Sequence, residues 1–123
     1  MPELRLVCVI DDDENVRESL GDLLEGCHYR AGRFACAEDL LASAQLAEAG
    51  CIITDYHMPG MTGLGLVAAL RARGIAVPVI LMTAFATERL REMAHGAGVS
   101  ALLKKPFHPD EMLRLVAQAV GGG

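Results

Sequence analysis

The feature that most constrains this chain is a fivefold alternation of short apolar runs with stretches of helical period. Leu4 to Ile10 is a Val/Ile-rich run that stops abruptly at Asp11-Asp12-Asp13, which suits a strand buried on both faces of a parallel sheet. From Glu14 the apolar positions fall at Val16, Leu20, Leu23 and Leu24, a helical stripe expected to close with Gly26 as its C-terminal cap. Tyr29 to Ala35 and Glu38 to Ala44 repeat the pair in weaker form. Cys51 to Thr54 is a fully apolar strand ending at Asp55, and Met58-Pro59-Gly60-Met61-Thr62-Gly63 reads as a loop. A helix over Leu64 to Arg73, a strand over Val77 to Met82, a helix over Thr87 to His95, a strand over Ala101 to Leu103 and a helix over Pro109 to Val120 complete the series.

Such alternation predicts a parallel sheet covered by helices on both faces, the doubly wound α/β class. With 123 residues there is room for one compact domain, expected over 1–120, with Gly121-Gly122-Gly123 as a flexible tail or the start of a linker. The sequence has no internal repeat and no apolar run near the roughly 20 residues that a spanning helix needs. Met1-Pro2-Glu3-Leu4-Arg5 carries neither a cationic segment nor a small-residue cleavage site, so a cytoplasmic location away from membranes is expected. Sixteen acidic against eleven basic residues give a formal charge of −5, which repels a phosphate backbone and argues against direct nucleic-acid binding. Cys8, Cys27, Cys36 and Cys51 form no C-x-x-C pair and read as free, buried thiols in a reducing compartment.

In an open parallel sheet, functional groups gather beyond the carboxyl ends of the strands. That rule selects Asp11-Asp12-Asp13, Asp55, Thr83 and Lys104-Lys105-Pro106. Two like charges about 4 Å apart repel by roughly 4 kcal/mol at a surface-like dielectric, so clustered aspartates call for a cation. Magnesium, or manganese, suits hard oxygen ligands and leaves room for a phosphate. A carboxylate then becomes a nucleophile toward phosphorus, once the metal and a lysine offset the charge of the transferring group. Each residue also has an ordinary use. Aspartates after a strand cap the next helix, Met-Pro-Gly is a common loop, threonine is common in strands, and adjacent lysines are usually solvated. The triplet admits two registers. The end of the apolar run at Ile10 favours Asp11 and Asp12 as the metal pair and Asp13 as the cap. His57 and His95 have no ligand partners at metal-binding spacing, and Met58 and Met61 read as loop packing.

Taken together, Val9-Ile10-Asp11-Asp12, the stretch from Thr54 to Gly63 and Lys105-Pro106-Phe107 resemble the response-regulator receiver family over nearly the whole chain. The resemblance implies a flavodoxin-like strand order, 2-1-3-4-5. It implies that Asp55 takes a phosphoryl group from a phosphohistidine of a histidine kinase or phosphotransfer protein. Asp12, Asp55 and the His57 carbonyl would hold Mg2+, with Asp11 acting through a water. Lys105 would pair with the acceptor and then with the phosphoryl oxygens, Thr83 would bond one of them, and small Ala84 would leave access. The family's Lys-Pro bond is commonly cis, which only Pro106 makes inexpensive here. The switched face would lie around the fourth helix, fifth strand and fifth helix, read by an output domain or a separate protein, with phosphorylation-dependent dimerisation left open.

One position departs from the family's pattern. Leu102 stands where many receivers carry an aromatic ring that turns inward with the threonine. Three rivals share part of the pattern. An aspartyl-phosphate hydrolase of the haloacid-dehalogenase kind needs an aspartate at the position of His57. A flavodoxin-like flavin binder needs a hydroxyl- and glycine-rich phosphate loop where this chain has three aspartates. A phosphate-independent pseudo-receiver has Leu102 as its only support.

Overall fold

The computed structural model describes residues 4–121. Five strands, β1 (Leu6–Ile10), β2 (Arg30–Phe34), β3 (Ala49–Asp55), β4 (Val79–Thr83) and β5 (Ala101–Lys104), form one parallel sheet in the order β2-β1-β3-β4-β5. Helices α1 (Glu14–Gly26), α2 (Ala37–Leu41), α3 (Gly63–Ala72), α4 (Glu88–Gly96) and α5 (Pro109–Gly121) connect and follow them. The doubly wound α/β expectation and the strand order both hold.

Period-two alternation divides each buried strand between two cores. Leu6, Cys8 and Ile10 of β1 face α2 and α3 with Ile52, Leu40, Leu66 and Leu70. Val7 and Val9 face the opposite way with Ile53, packing against Leu20 and Leu24 of α1 and Met112 and Val116 of α5. Because β1 and β3 are covered on both faces, they read as continuous apolar runs rather than alternating ones.

Element ends moved by a few residues, each for a local reason. Leu4 is 48% exposed and precedes β1, so the first strand starts at Leu6. The second helix stops at Leu41, and a 3-10 turn over Ala44–Glu48, capped by the Ser43 hydroxyl accepting from the Gln45 N–H, leads into β3. Gly26 is the last residue of α1 rather than its cap; Cys27 takes that place and His28 supplies the positive φ of 67°. Gly121 closes α5 and is therefore helical, while Gly122 and Gly123 lie outside the described residues.

The cysteine expectation needs correction. All four are free, but only Cys8 and Cys51 are buried, whereas Cys36 is half-buried and Cys27 exposed. Desolvation pushes the Cys8 thiol up to about 11 and the Cys51 thiol up to about 12, so both stay protonated at neutral pH. Among the described residues, no helix is long and apolar enough to cross a membrane.

Candidate functional site

The carboxyl ends of β1, β3, β4 and β5 meet at one rim, and each end is fixed by its own hydrogen bonds. Asp11 directly follows β1, and its N–H donates to the Phe34 carbonyl at 3.1 Å, which continues the β1–β2 ladder. Its Oδ1 accepts from the Asp13 N–H at 2.9 Å. Asp13 caps α1, its Oδ1 accepting from Asn15 at 2.8 Å and Val16 at 3.3 Å, as the one-residue register choice required. That leaves Asp12 exposed between a buried carboxylate and a cap.

Asp55 ends β3 and is 8% exposed. The next N–H, that of Tyr56, donates to the Met82 carbonyl at 2.8 Å, and the Thr54 hydroxyl donates to the Asp55 carbonyl at 3.0 Å. The loop that follows folds back on itself. Met58 is buried in the core, Gly60 has φ +80°, and the Gly63 N–H returns to the Tyr56 carbonyl at 3.0 Å. A Cβ on Gly63 would stand 2.8 Å from the Asp55 carbonyl, so this close return admits only glycine. The Thr62 hydroxyl then caps α3 by accepting from Gly65 at 3.1 Å. The loop motif is therefore a set of backbone requirements placed around Asp55.

Lys105 arrives from the other side of the sheet. Its N–H donates to the Thr83 carbonyl at 2.7 Å, and the Lys105–Pro106 peptide is cis, as anticipated. Its Nζ lies 3.1 Å from Asp11 Oδ2 and 3.4 Å from Asp55 Oδ1. The adjacent Lys104 is exposed, and no ion pair to this pocket is found for it among the described residues. Burial disfavours the Lys105 ammonium, but the hydrogen bond and charge of Asp11, with Asp55 adding to them, outweigh it and hold Lys105 above its usual range. Burial is also the main reason that the Asp55 carboxyl titrates above the usual carboxylate range; Asp11 adds to this, and Lys105 offsets it only in part.

Carboxylate oxygens of Asp11, Asp12 and Asp55 lie within 4.8 Å of one another. Oxygens on opposite sides of a magnesium ion are about 4.2 Å apart, so these carboxylates stand at the spacing of groups gathered around one ion, directly or through water. The charge also fits. Three carboxylates against the single Lys105 ammonium leave an excess of two negative charges, which one divalent cation offsets.

Thr83 is buried at the end of β4, and its hydroxyl accepts from the Phe85 N–H at 3.0 Å, while Ala84 is exposed. Pro106 is exposed, and His57 is exposed with its ring edge-on to Tyr56 at 4.6 Å and to Phe85 at 6.1 Å. Leu102 is half-buried and pairs in register with Leu81. Sequence reasoning missed Arg17, whose Nη1 donates to the Asp11 carbonyl at 2.8 Å. Its only signal was a basic residue one turn into the helix that follows the acidic triplet.

A sequence model described as "Response regulator receiver domain" matches residues 7–117. The chain belongs to the response regulator receiver family. It is a receiver of two-component signal transduction, a family that implies phosphorylation on an aspartate. Transcriptional regulatory protein FixJ of Azorhizobium caulinodans is 39% identical over 121 residues, covering 98% of this chain and 57% of that protein. The C4-dicarboxylate transport transcriptional regulatory protein DctR of Rhodobacter capsulatus is 36% identical, covering 93% of this chain and 59% of that protein. The receiver thus spans little more than half the length of these curated relatives. Among solved structures, the signal receiver domain of the putative response regulator NarL from Mycobacterium tuberculosis superposes with a TM-score of 0.89 at 25% identity, covering 99% of this chain and all of that one. The crystal structure of FixJ-N superposes with a TM-score of 0.85 at 26% identity, covering 98% of this chain and 96% of that one.

Proposed function

We propose that Asp55 is the phosphoacceptor of this receiver. The carrying observation is a nearly buried carboxylate at the end of the central strand, contacted by the one lysine of the pocket and flanked by two further aspartates. One Asp55 oxygen attacks the phosphorus of a phosphohistidine, the P–N bond breaks, and an acyl phosphate forms on Asp55. The donor is a histidine kinase or a phosphotransfer protein.

Asp12, Asp55 and the His57 carbonyl would hold Mg2+ or Mn2+, with Asp11 acting through a water. A bound divalent ion supplies charge neutralisation for the phosphoryl oxygens. Lys105 is already poised between Asp11 and Asp55, and its ammonium can follow the charge from the carboxylate to the phosphoryl group. The Thr83 hydroxyl exchanges its bond with the Phe85 N–H for a phosphoryl oxygen, which draws the start of the β4–α4 loop toward the pocket. Exposed Ala84 leaves that approach open.

This exchange biases the face formed by α4, β5 and α5, because the phosphoryl group makes contacts in only one of the two arrangements. An output domain or a separate protein in the cytoplasm reads that face, and transcription control fits the transcriptional regulators FixJ and DctR among its relatives. The receiver is a switch and not an enzyme acting on a separate substrate. Residues 1–120 would form the receiver unit, whose last helix the structure carries on to Gly121.

Incubation with a small phosphodonor and Mg2+, followed by intact-mass measurement, tests the assignment. Wild type is expected to gain one phosphoryl group and Asp55→Asn none. A wild type that gains nothing, or a variant that gains equally, sinks it.

A further inference from the structure

Among the three carboxylates of the proposed site, Asp12 alone is exposed, so its direction is not set by packing. Exposed aspartate side chains sample several rotamers, so a useful direction has to come from the backbone that carries them. Here that backbone is held on both sides by one residue. The Arg17 N–H donates to the Asp13 carbonyl at 3.0 Å, and the Arg17 guanidinium reaches back to the Asp11 carbonyl at 2.8 Å. Arg17 therefore brackets Asp12. The remaining bonds of the turn, from the Asp11 N–H to Phe34 and from the Asp13 N–H to Asp11 Oδ1, fix Asp11 but leave the Asp11 carbonyl, and with it the Asp11–Asp12 peptide plane, to Arg17.

The guanidinium is itself held. The Arg17 side chain is 17% exposed and its Nε lies 3.9 Å from Glu18 Oε2, while Glu18 Oε1 lies 3.4 Å from Arg33 Nε on β2. Arg33 also pairs with Asp22 and Glu25 at 2.9 Å each, so the bracket is tied to the edge of the sheet. We propose that Arg17 is a positioning residue for divalent-cation binding, fixing the peptide that aims Asp12 at the space it shares with Asp55. This rests on the metal reading above and adds to it a residue that touches neither metal nor phosphate.

Two physical effects of removing Arg17 have opposite signs, which makes the proposal decidable. Loss of a positive charge beside three carboxylates, by Coulomb's law alone, tightens cation binding. Loss of the bracket loosens it, and removing an outer residue that orients ligands typically weakens metal affinity by about 10-fold or more. A purely structural role for Arg17 in α1 changes neither.

The probe is Mn2+ titrated calorimetrically into the unphosphorylated chain at fixed ionic strength, with thermal midpoints taken in EDTA. Arg17→Met, which keeps most of the apolar stem, is expected to weaken Mn2+ by about 10-fold with the EDTA midpoint nearly unchanged. Arg17→Lys, a single donor without the planar fork, should fall between it and wild type. Equal or tighter Mn2+ binding by Arg17→Met overturns the proposal. Should that variant lack a cooperative transition, Arg17→Lys decides in the same way. Wild type that takes up no Mn2+, or Asp12→Asn binding it as wild type does, overturns the metal reading itself, and this is read with Arg17 intact.

Discussion

The acidic rim and the α4–β5 face belong to the same sheet, yet they are secured differently. At the rim, Asp11, Asp55 and Thr83 are buried, and each strand end is tied to a neighbouring strand or loop by hydrogen bonds of 3.1 Å or less. On the other face, Leu90 and Ala94 are the buried residues of α4, and both lie outside the two core clusters of the described residues. Phe85 at 69% and Met93 at 46% exposure stand beside them. The rim that gathers the charged groups is built into the core, whereas the α4 face rests on lightly anchored elements, the kind from which moving parts are drawn.

The largest expected effect breaks the comparison at its rigid end. Ile53 is fully buried two residues before Asp55, and Ile53→Ala should cost about 3 kcal/mol in urea unfolding. Met93→Ala on the other face should stay within about 0.5 kcal/mol. Equal costs would erase the distinction.

Next comes Lys105→Met, which leaves Asp11 and Asp55 facing each other without their ammonium. The partly exposed lysine limits the loss to about 1 kcal/mol at neutral pH. Because its folded pKa is raised, the lysine's contribution is complete below its ordinary value of 10.5 and fades as pH rises through the folded value. The difference between wild type and variant should therefore shrink in strong alkali.

Asp55→Asn should move stability the other way. A carboxyl that titrates higher in the folded than in the unfolded chain binds its proton more tightly when folded, so stability falls as pH rises from 3.8 through the folded value. The ionised group is a cost at pH 7, and removing it should raise the metal-free melting temperature by about 4 °C, on the order of 1 kcal/mol for a chain of this size. The gain should vanish below the unfolded value. A variant less stable than wild type at pH 7 would mean that Lys105 outweighs burial.

The smallest effect sharpens the flexible end. Leu102 lines a shallow depression with Arg91, Ala94 and His95. Leu102→Tyr should change stability by no more than about 0.5 kcal/mol and leave phosphodonor uptake by Asp55 unaltered. Altered uptake would show that the aromatic position reaches the chemistry as well as the output face.

Legibility in the sequence followed the range of the interaction. Asp13 as cap rests on bonds within three residues, which leave a direct local signature. The 3-10 turn after α2 and the exposure of Cys27 left none, because burial at a helix end depends on what packs there. Arg17 was invisible for a related reason: a backbone carbonyl has no sequence identity, so its partner cannot be read from residue types.

By itself, then, the sequence determined the alternation of elements, the class of sheet and the residue types at each strand end, since periodicity and strand termini are local properties of the chain. Only the tertiary structure decided that Lys105 meets Asp11 across 94 positions of sequence, that Asp11 is buried while Asp12 is exposed, and that Arg17 brackets the latter. Those pairings arise when parallel strands bring distant termini to one edge, where short-range charge and hydrogen bonding act between groups that chain order keeps apart.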